Sequence, residues 1–367
     1  MLRALVLTLT CVAAWATAAV ADLATSLGPL KLERLASGLD QPWAVAPLPA
    51  GGFLITERDG RLWNFDGQGG KIAVRGTPAV AARGQGGLLD VIVARDFTKS
   101  RRVYMTFAKP QRGGAGTALA RATLTSDGTR LTDVRVIFEM TPGSSGGRHY
   151  GSRVVEAPDG TLFVTTGDRG DRPSSQNLAN HNGAVIRVTA DGRPVSDAPF
   201  AATPGAEPEI WSYGHRNPQG ATLDGRGRLW VVEHGARGGD EINFVKRGAN
   251  FGWPVISYGR HYSGGKIGEG TAKAGMEQPA FFWDPSIAPS GMMIYTGAMF
   301  PEWRGDIFVG SLKFGHIARL DVAGGGVRAG EVIESSRTGR VRDIRQAPDG
   351  SIWYLSVADG ALYRISR

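Results

Sequence analysis

The sequence contains a single cysteine, Cys11, and this cysteine lies among the first 21 residues. Without a second cysteine the chain forms no internal disulfide and no cysteine-based zinc site. It also lacks the H-E-x-x-H and G-x-S-x-G motifs and the spacings of a dinucleotide fingerprint or a P-loop. These absences argue against zinc hydrolases, serine hydrolases and nucleotide-binding α/β enzymes.

Long apolar segments are scarce as well. After the opening MLRALVLTLTCVAAWATAAVADL, no stretch has the roughly 20 apolar residues that a membrane span requires. The opening itself has one early arginine, an apolar run and then small residues, which is typical of a secretory signal peptide cleaved near Ala21. We therefore expect a signal peptide over residues 1–21 and an exported protein, periplasmic or secreted, with no membrane span.

The charge is basic but dispersed. There are 42 Lys and Arg against 34 Asp and Glu, a formal net charge of +8. Because these cations are scattered and do not form runs, the composition does not predict nucleic-acid binding. A solvated basic surface or an anionic ligand would each account for the surplus.

Long helical patterns are missing, and a short unit recurs in their place. A polar, Gly-bearing turn precedes a short strand with a central aromatic residue, as in "APDGTLFVTTGD" (157–168) and "APDGSIWYLSVADGALYRIS" (347–366). Asp-Gly supplies the positive-φ residues of a tight hairpin, so each copy predicts antiparallel strands. Six copies, with strands starting near 54, 103, 162, 229, 307 and 352, are spaced by roughly 58 residues on average. This spacing predicts a single all-β domain over residues 22–367, a six-bladed β-propeller; a β-sandwich would not explain the regularity.

In a propeller, ligands bind where loops from every blade converge, so functional residues should be dispersed along the chain. Four cations stand on short Gly-flanked segments: Arg216 in "WSYGHRNPQG", Lys313 in "SLK", and Arg340 and Arg342 in "GRVRD". Together they would fit a compact polyanion, either a carboxylate or a phosphate. The fragment "EHGARGGDEIN" (233–243) offers carboxylate and carbonyl oxygens, which favour Ca²⁺ over transition metals.

Each of these features also has a plain structural explanation. The glycines around Gln85 turn the chain. Arg340 and Arg342 alternate and would both face solvent on an edge strand. His149 would be an ordinary hydrogen-bonding loop residue. What favours function is that the clusters recur at similar positions relative to their blades.

The motifs "GQGGLLD", "YGHRNPQG", "EHGARGGDEIN", "NFGWP", "SLK" and "RVRD", in this order, resemble the soluble PQQ-dependent aldose sugar dehydrogenases. The resemblance runs from "GLDQPWAVAPLP" (38–49) to the last repeat, and that family is a six-bladed propeller. It implies pyrroloquinoline quinone (PQQ), a planar tricarboxylate, as cofactor. By resemblance, the residues that bind PQQ are Gln85, Arg216, Asn217, Lys313, Arg340 and Arg342, with Arg216 and Asn217 at the quinone oxygens.

The resemblance also implies the catalytic and metal-binding residues. His149 matches the base that takes the proton of the anomeric hydroxyl, and Arg216 matches the cation that stabilises the charge arriving on the quinone. The carbonyls of Gly235 and Ala236 match ligands of a Ca²⁺ at the cofactor. Glu241 and the carbonyl of Phe251 match a second Ca²⁺ site.

The sequence departs from this family at several positions. Ala236 replaces a common proline, and Phe251 replaces a frequent tyrosine. Arg148 stands where the best-known glucose enzymes have an acid, and Arg169 stands where they have glutamine. Since those two positions touch the sugar, we expect a range of aldoses and no assumed preference for glucose.

The aromatic residues of "FFWDPSIAPSGMMIYTG" leave one further question open. Trp283 would line the sugar subsite or merely pack, and the same alternatives hold for Tyr295.

The prediction is thus a periplasmic quinoprotein, a monomer or homodimer, that oxidises an aldose at C1 to its lactone with PQQ and Ca²⁺. An unidentified periplasmic acceptor would take the electrons. The main alternative is a six-bladed hydrolase of the lactonase type, which uses a channel Ca²⁺ and carboxylates and needs no ring of cations. A non-catalytic propeller that has kept only the scaffold is the third hypothesis.

Overall fold

Residues 21–367 are described in a computed structural model. Residues 1–20, with most of the predicted signal peptide and Cys11, lie outside the described residues. Within 21–367 the chain forms six antiparallel sheets. Five of these sheets have four strands each, and the sixth has five.

We number the sheets as blades 1 to 6 in chain order of their first repeat strand. Blade 1 comprises β3 (Pro42–Pro47), β4 (Phe53–Glu57), β5 (Leu62–Phe65) and β6 (Lys71–Val74). Blade 2 comprises β7 (Leu88–Val93), β8 (Arg102–Gln111), β9 (Gly114–Leu124) and β10 (Leu131–Glu139). Blade 3 comprises β11 (Val154–Glu156), β12 (Leu162–Thr165), β13 (Ala184–Val188) and β14 (Ile210–Tyr213).

The second half of the ring follows the same order. Blade 4 comprises β15 (Pro218–Leu223), β16 (Leu229–Glu233), β17 (Asp240–Phe244) and β18 (Phe281–Trp283). Blade 5 comprises β19 (Pro289–Ile294), β20 (Ile307–Ser311), β21 (Ile317–Ala323) and β22 (Gly326–Ile333). Blade 6 joins both ends of the described chain, in the order β1 (Ala21–Thr25), β2 (Gly28–Ala36), β25 (Ala361–Ser366), β24 (Ile352–Ser356), β23 (Val341–Gln346). The helices of the described residues are short: α1 (Phe97–Ser100) and the 3-10 turns Arg172–Gln176 and Pro301–Trp303.

The six sheets surround one axis. Their innermost strands β3, β7, β11, β15, β19 and β23 contact one another in that order, and β23 returns to β3. The prediction of an all-β, six-bladed β-propeller is therefore confirmed. Each repeat strand of the sequence analysis is the second strand of its blade, from β4 at Phe53 to β24 at Ile352.

Buried charges fill the axis between the innermost strands. Arg153, 1% exposed, pairs with Asp90 of β7 at 3.1 Å and with Asp343 of β23 at 2.9 Å. Arg345 pairs with the same two carboxylates, at 2.6 Å and 3.1 Å. Asp343 also accepts a hydrogen bond from the backbone of Val45 in β3. This network connects blades 1, 2, 3 and 6.

Between residues 21 and 367, no helix has both the length and the apolar character needed to cross a membrane.

Candidate active site

The candidate residues lie on loops at one end of the ring. Gln85, His149, Asn217 and Arg340 each stand just before the innermost strand of a blade. Lys313 instead follows the second strand of blade 5. Because that second strand runs antiparallel to the innermost one, its end and the start of the innermost strand share one face of the sheet. The topology therefore brings these residues from five blades to the same mouth.

A cavity of about 800 Å³ opens at this mouth. Its charged lining side chains are Arg58, Arg237, Arg260, Lys313, Arg340, Arg342 and Asp284. The one carboxylate among these lining residues, Asp284, is paired with Arg260 at 2.7 Å. The side-chain amides of Gln85 and Asn217 also line the cavity, as does the backbone of Gly235. Among the described residues, the lining thus carries a large excess of positive charge.

Arg342 is the most crowded of these cations. Its guanidinium donates to Oε1 of Gln219 at 3.0 Å. Burial, together with the positive charges of Arg340, Arg153 and Arg58, lowers the pKa of Arg342 to about 9. Such a cluster is stabilised when an anion binds among its members. Arg340 and Lys313 complete this edge of the cavity, and both side chains are exposed there.

The loop "WSYGHRNPQG" (211–220) is held rigidly against its neighbours. Gly214 has φ +76, and a Cβ on it would lie 2.2 Å from the side-chain oxygen of Asn250, so only glycine fits. The backbone N–H of Arg216 donates to the buried carboxylate of Glu233 at 2.7 Å. The carbonyl of Arg216 accepts from the N–H of Asp168 at 2.9 Å. The turn is therefore fixed before any ligand arrives.

The two polar side chains of this turn are constrained differently. Arg216 is 6% exposed and donates to the carbonyl of His234 at 3.2 Å. Its Nε is buried with no hydrogen-bond partner among the described residues. Oδ1 of Asn217 accepts hydrogen bonds from the N–H of Gly151 and from the side chain of Gln219. The Nδ2 group of Asn217 is therefore left to donate to a ligand in the cavity.

His149 is paired with a carboxylate that the sequence analysis did not single out. Its Nδ1 lies 2.6 Å from Oδ1 of Asp168, which is fully buried. The backbone N–H of His149 donates to Oε1 of Gln85, a lining residue, at 2.7 Å. His149 has φ 54, in the left-handed region. With Nδ1 engaged by Asp168, Nε2 is the ring nitrogen left to exchange a proton.

The electrostatic surroundings keep this imidazole neutral. Burial lowers the pKa of His149, and the positive charges of Arg216 and Arg148 lower it further, against the opposing pull of Asp168. For Asp168 itself, burial would raise the pKa, but the interaction with His149 and the N–H of Gly170 outweigh it and lower the pKa. The pair is thus a neutral imidazole beside an ionised carboxylate.

His234 shows that the charged groups of different blades converge. This histidine lines the cavity and donates from Nε2 to the carbonyl of Pro289 at 2.6 Å. Burial and the positive charges of Arg216 and Arg342, with a contribution from His149, lower the pKa of His234 to about 3. Side chains of blades 3, 4 and 6 therefore act on one another around a single site.

Two buried carboxylates lie behind the Arg216 turn. Glu233 and Glu241 line a small cavity of about 20 Å³ together with Phe251. Burial and the negative charge of Glu233 raise the pKa of Glu241. The side-chain oxygen of Asn243, which contacts both carboxylates through its amide nitrogen, is buried without a partner among the described residues. A cation would relieve this arrangement.

The backbone of Gly235 and Ala236 is positioned by Asp240. The carboxylate of Asp240 accepts from the N–H of Gly235 at 2.8 Å and from the N–H groups of Ile287 and Ala288. Gly235 borders both the large cavity and the small one, and Ala236 is fully buried beside it. Asp240 thus uses its oxygens in holding the loop.

Three candidate sugar-binding residues are not among the residues that line the large cavity. Arg169 is 2% exposed, lies 3.4 Å from the ring centre of Tyr150 and donates to the carbonyl of Gly146. Trp283 lies in the outermost strand of blade 4 and packs edge-on against Phe281. Arg148 is exposed, and its charge acts on His149. Arg169 and Trp283 thus pack against aromatic neighbours, and Arg148 neighbours the base. His149 and Arg216 are likewise not among the residues that line the large cavity.

Tyr295 is also a core residue. It is fully buried, and its hydroxyl donates to the carbonyl of Gly350 at 2.7 Å. Sequence reasoning missed three aromatic residues that line the cavity: Trp43, Tyr150 and Tyr262. Of these, Tyr262 is 71% exposed at the mouth. Tyr262 belongs to the long segment between β17 and β18, whose Gly-rich composition was its only sequence signal.

The chain is similar to a known protein family and to characterised relatives. The model of the glucose/sorbosone dehydrogenase family matches residues 39–364. The chain is 42% identical over 344 residues to the aldose sugar dehydrogenase YliI of Escherichia coli, which covers 92% of this chain and 93% of that protein.

Solved structures extend the likeness to three dimensions. The apo form of the soluble aldose sugar dehydrogenase from Escherichia coli has a TM-score of 0.89 and 41% identity, covering 92% of this chain and 99% of that chain. The PQQ-bound form of an aldose sugar dehydrogenase from Streptomyces coelicolor has a TM-score of 0.77 and 27% identity, covering 94% of this chain and 99% of that chain.

Proposed function

The chain belongs to the glucose/sorbosone dehydrogenase family, and on this basis we propose that it oxidises aldoses at C1 to their lactones with PQQ as cofactor. The observation that carries the proposal is a cation-lined cavity with a histidine–carboxylate pair beside it. The cations account for an anionic redox cofactor, and the pair accounts for proton removal from a sugar hydroxyl.

The lining residues fit a tricarboxylate. Arg342, Arg340 and Lys313 line the cavity, and burial together with the positive charges of neighbouring arginines lowers the pKa of Arg342. Guanidinium groups bind carboxylates with paired N–H···O bonds. Gln85, before blade 2, and Asn217, before blade 4, would add amide contacts.

The lactonase alternative expects several carboxylates free to bind a metal ion in the channel. The described lining of the cavity has one, paired with an arginine, and the axial carboxylates Asp90 and Asp343 are paired with arginines as well.

We assign a separate role in the proposed reaction to each of three residues. When bound, PQQ supplies the carbonyl carbon that receives the hydride from C1 of the sugar. Nε2 of His149 accepts the proton of the C1 hydroxyl, while Asp168 holds the ring at Nδ1 and stabilises the imidazolium that forms. The guanidinium of Arg216, itself 6% exposed, would stabilise the negative charge that develops at the quinone.

Two Ca²⁺ positions belong to the same proposal. The carbonyls of Gly235 and Ala236 would hold one ion at the cofactor, and Glu241 with the carbonyl of Phe251 would hold the other. Oxygen donors of this kind suit Ca²⁺. The buried pair Glu233 and Glu241 supports a cation at the second position, since burial and the negative charge of Glu233 raise the pKa of Glu241.

The rest of the reaction lies outside the chain. Two electrons and two protons must leave after each turnover, so an acceptor in the same compartment completes the cycle. From the predicted signal peptide, we propose that the reaction takes place in the periplasm or outside the cell.

A direct assay tests the proposal. Purified protein loaded with PQQ and Ca²⁺ should reduce an artificial dye when aldoses such as glucose, galactose and maltose are added, and the lactone should appear in equal amount. Stoichiometric binding of PQQ with no oxidation of any aldose would refute the proposed activity.

Replacing the cation ring separates this proposal from the lactonase alternative. The double variant Arg340→Gln/Arg342→Gln should weaken PQQ binding by at least roughly 100-fold, because each lost charge-assisted contact is worth about 1.5–3 kcal/mol. The matched control is Arg226→Gln/Arg228→Gln, on an exposed hairpin of blade 4, which should bind PQQ normally. Equal binding by both double variants, measured by absorbance titration, would contradict the assignment.

A further inference from the structure

Trp253 connects the two halves of the proposed site. It follows β17 in the long segment that precedes β18, and it is 5% exposed. Its indole N–H donates to Oδ2 of Asp168 at 2.9 Å. The other oxygen of that carboxylate faces Nδ1 of His149. One carboxylate thus has the base on one oxygen and the indole on the other.

The face of the same indole lies next to Arg216. The guanidinium carbon of Arg216 is 5.3 Å from the ring centre of Trp253, within cation–π distance. Nε of Arg216 is buried without a hydrogen-bond partner among the described residues, so the guanidinium is held by its contact with His234 and by the indole ring. Arg172 lies at the same distance from the ring.

Trp253 is itself held in place through its backbone. Its N–H donates to the carbonyl of Gly214 at 2.8 Å, and its carbonyl accepts from the side chain of Gln176 at 2.8 Å. The ring packs with Ala236 and Ile267. Trp253 is therefore fixed to the turn that carries Arg216, and its contacts are defined before any ligand binds.

We propose that Trp253 is a positioning residue of this site: its indole N–H orients Asp168 for His149, and its ring face orients Arg216. The catalytic role of Trp253 rests on the proposed function, whereas its contacts with Asp168 and Arg216 are present in the protein without any ligand. Trp253 touches neither sugar nor proton; it acts through the carboxylate and the guanidinium.

A hydrogen bond from the indole to Asp168 has a defined electrostatic effect. It disperses negative charge that would otherwise stabilise the protonated imidazole, so its removal should raise the pKa of His149. The other charged or titratable groups that act on His149 are Arg216, Arg148 and His234. Release of Arg216 from the ring would move a cation away from the imidazole, which shifts the pKa in the same direction.

The test uses Trp253→Phe in the apo protein. We expect the His149 ring, followed by NMR with labelled histidine and assigned through His149→Asn, to titrate about half a pH unit or more above wild type. In the loaded enzyme, kcat should fall about 10-fold or more while the sugar KM changes by less than about 3-fold. The matched control is Trp230→Phe, which removes an indole bond to Asp224 of 3.2 Å far from the mouth and should leave both readouts unchanged.

An unchanged His149 midpoint in folded Trp253→Phe would overturn the proposal. If that variant does not fold, the wild-type protein decides: one indole N–H resonance should follow the His149 midpoint and lose that dependence in His149→Asn. Absence of any such resonance also overturns it. Because these titrations need neither PQQ nor sugar, they remain informative even if the dye assay fails.

Discussion

A histidine serves as a base when one ring nitrogen is held and the other is free, and His149 meets this condition through a residue 19 positions away. Asp168 lies at the end of blade 3's second strand, while His149 precedes its first. Nothing local in "GDRGDR" distinguishes Asp168 from Asp171, which is exposed. The folded blade is needed to tell the two apart.

Replacing Asp168 tests this pair. The pKa of His149 lies below its ordinary 6.5, chiefly through burial, and the ring is therefore neutral at pH 7. Asp168 opposes this shift, so Asp168→Asn should move the His149 titration to still lower pH, as measured by NMR of the apo protein. In the loaded enzyme kcat should fall by about 10²–10⁴, because the ring loses the partner that orients it.

The control for that experiment is Asp171→Asn, which changes an aspartate three positions away that has no contact with His149. It should leave titration and kcat as in wild type. A rise in the His149 pKa on loss of Asp168 would mean that the carboxylate is not ionised in the fold, contrary to the geometry.

The sequence predicted those site residues that belong to a recognisable motif. It did not predict those that only the fold brings to the cavity. Lys313, Arg340 and Arg342 belong to recognisable segments, and all three line the cavity. Arg58 lines it too, but the sequence around it, "TERDG", is an ordinary hairpin. Arg169 stands at the motif position of a sugar-binding residue. Its backbone is in the left-handed region and its guanidinium stacks on Tyr150, so its side chain packs inside the protein.

At the scale of the element, strands were predictable because their signals are local. A turn, an aromatic residue and an alternating strand recur together, and each such unit became the second and third strands of a blade. The innermost strands carry less of this pattern. β11, for example, has only three residues, and its neighbour Arg153 is buried at the axis.

The axial ion network provides a test at this scale. Asp343 and Asp90 raise the pKa of Arg345, although burial alone would lower it. Arg345→Met would leave both carboxylates with Arg153 as their remaining cationic partner. Breaking a buried network in this way costs about 3–5 kcal/mol, so the melting temperature of the apo protein should fall by several degrees.

A surface ion pair supplies the comparison. Arg228→Met removes the pair with Asp224, in which the arginine is 46% exposed, and should change stability by less than about 1 kcal/mol. Equal melting temperatures for the two variants in calorimetry would show that the axial network adds nothing to stability.

At the scale of the whole molecule, one contact closes the ring. β2, from the beginning of the described chain, pairs with β25, from its end, so that blade 6 contains strands of both. The sequence analysis predicted six repeats without this pairing, because it joins residues more than 300 positions apart. Since the innermost strands touch in a cycle, the mouth keeps its shape only while the cycle is complete.

The closing strand can be tested by two neighbouring substitutions. Leu32 of β2 is 1% exposed and pairs with Ile365, within the same buried cluster as Leu30 and Tyr363. Leu32→Ala should cost about 2–5 kcal/mol through lost burial and the cavity that it leaves. Glu33→Ala, one position on, removes a partly exposed pair with Arg364 and should cost less than about 1 kcal/mol.

If blade 6 closes the ring, Leu32→Ala should lower the single melting transition of the whole domain and accelerate amide exchange in blade 1 as well as blade 6. Faster exchange confined to β1 and β2, with the melting temperature unchanged, would show that these strands are an appendage and that the ring is closed without them.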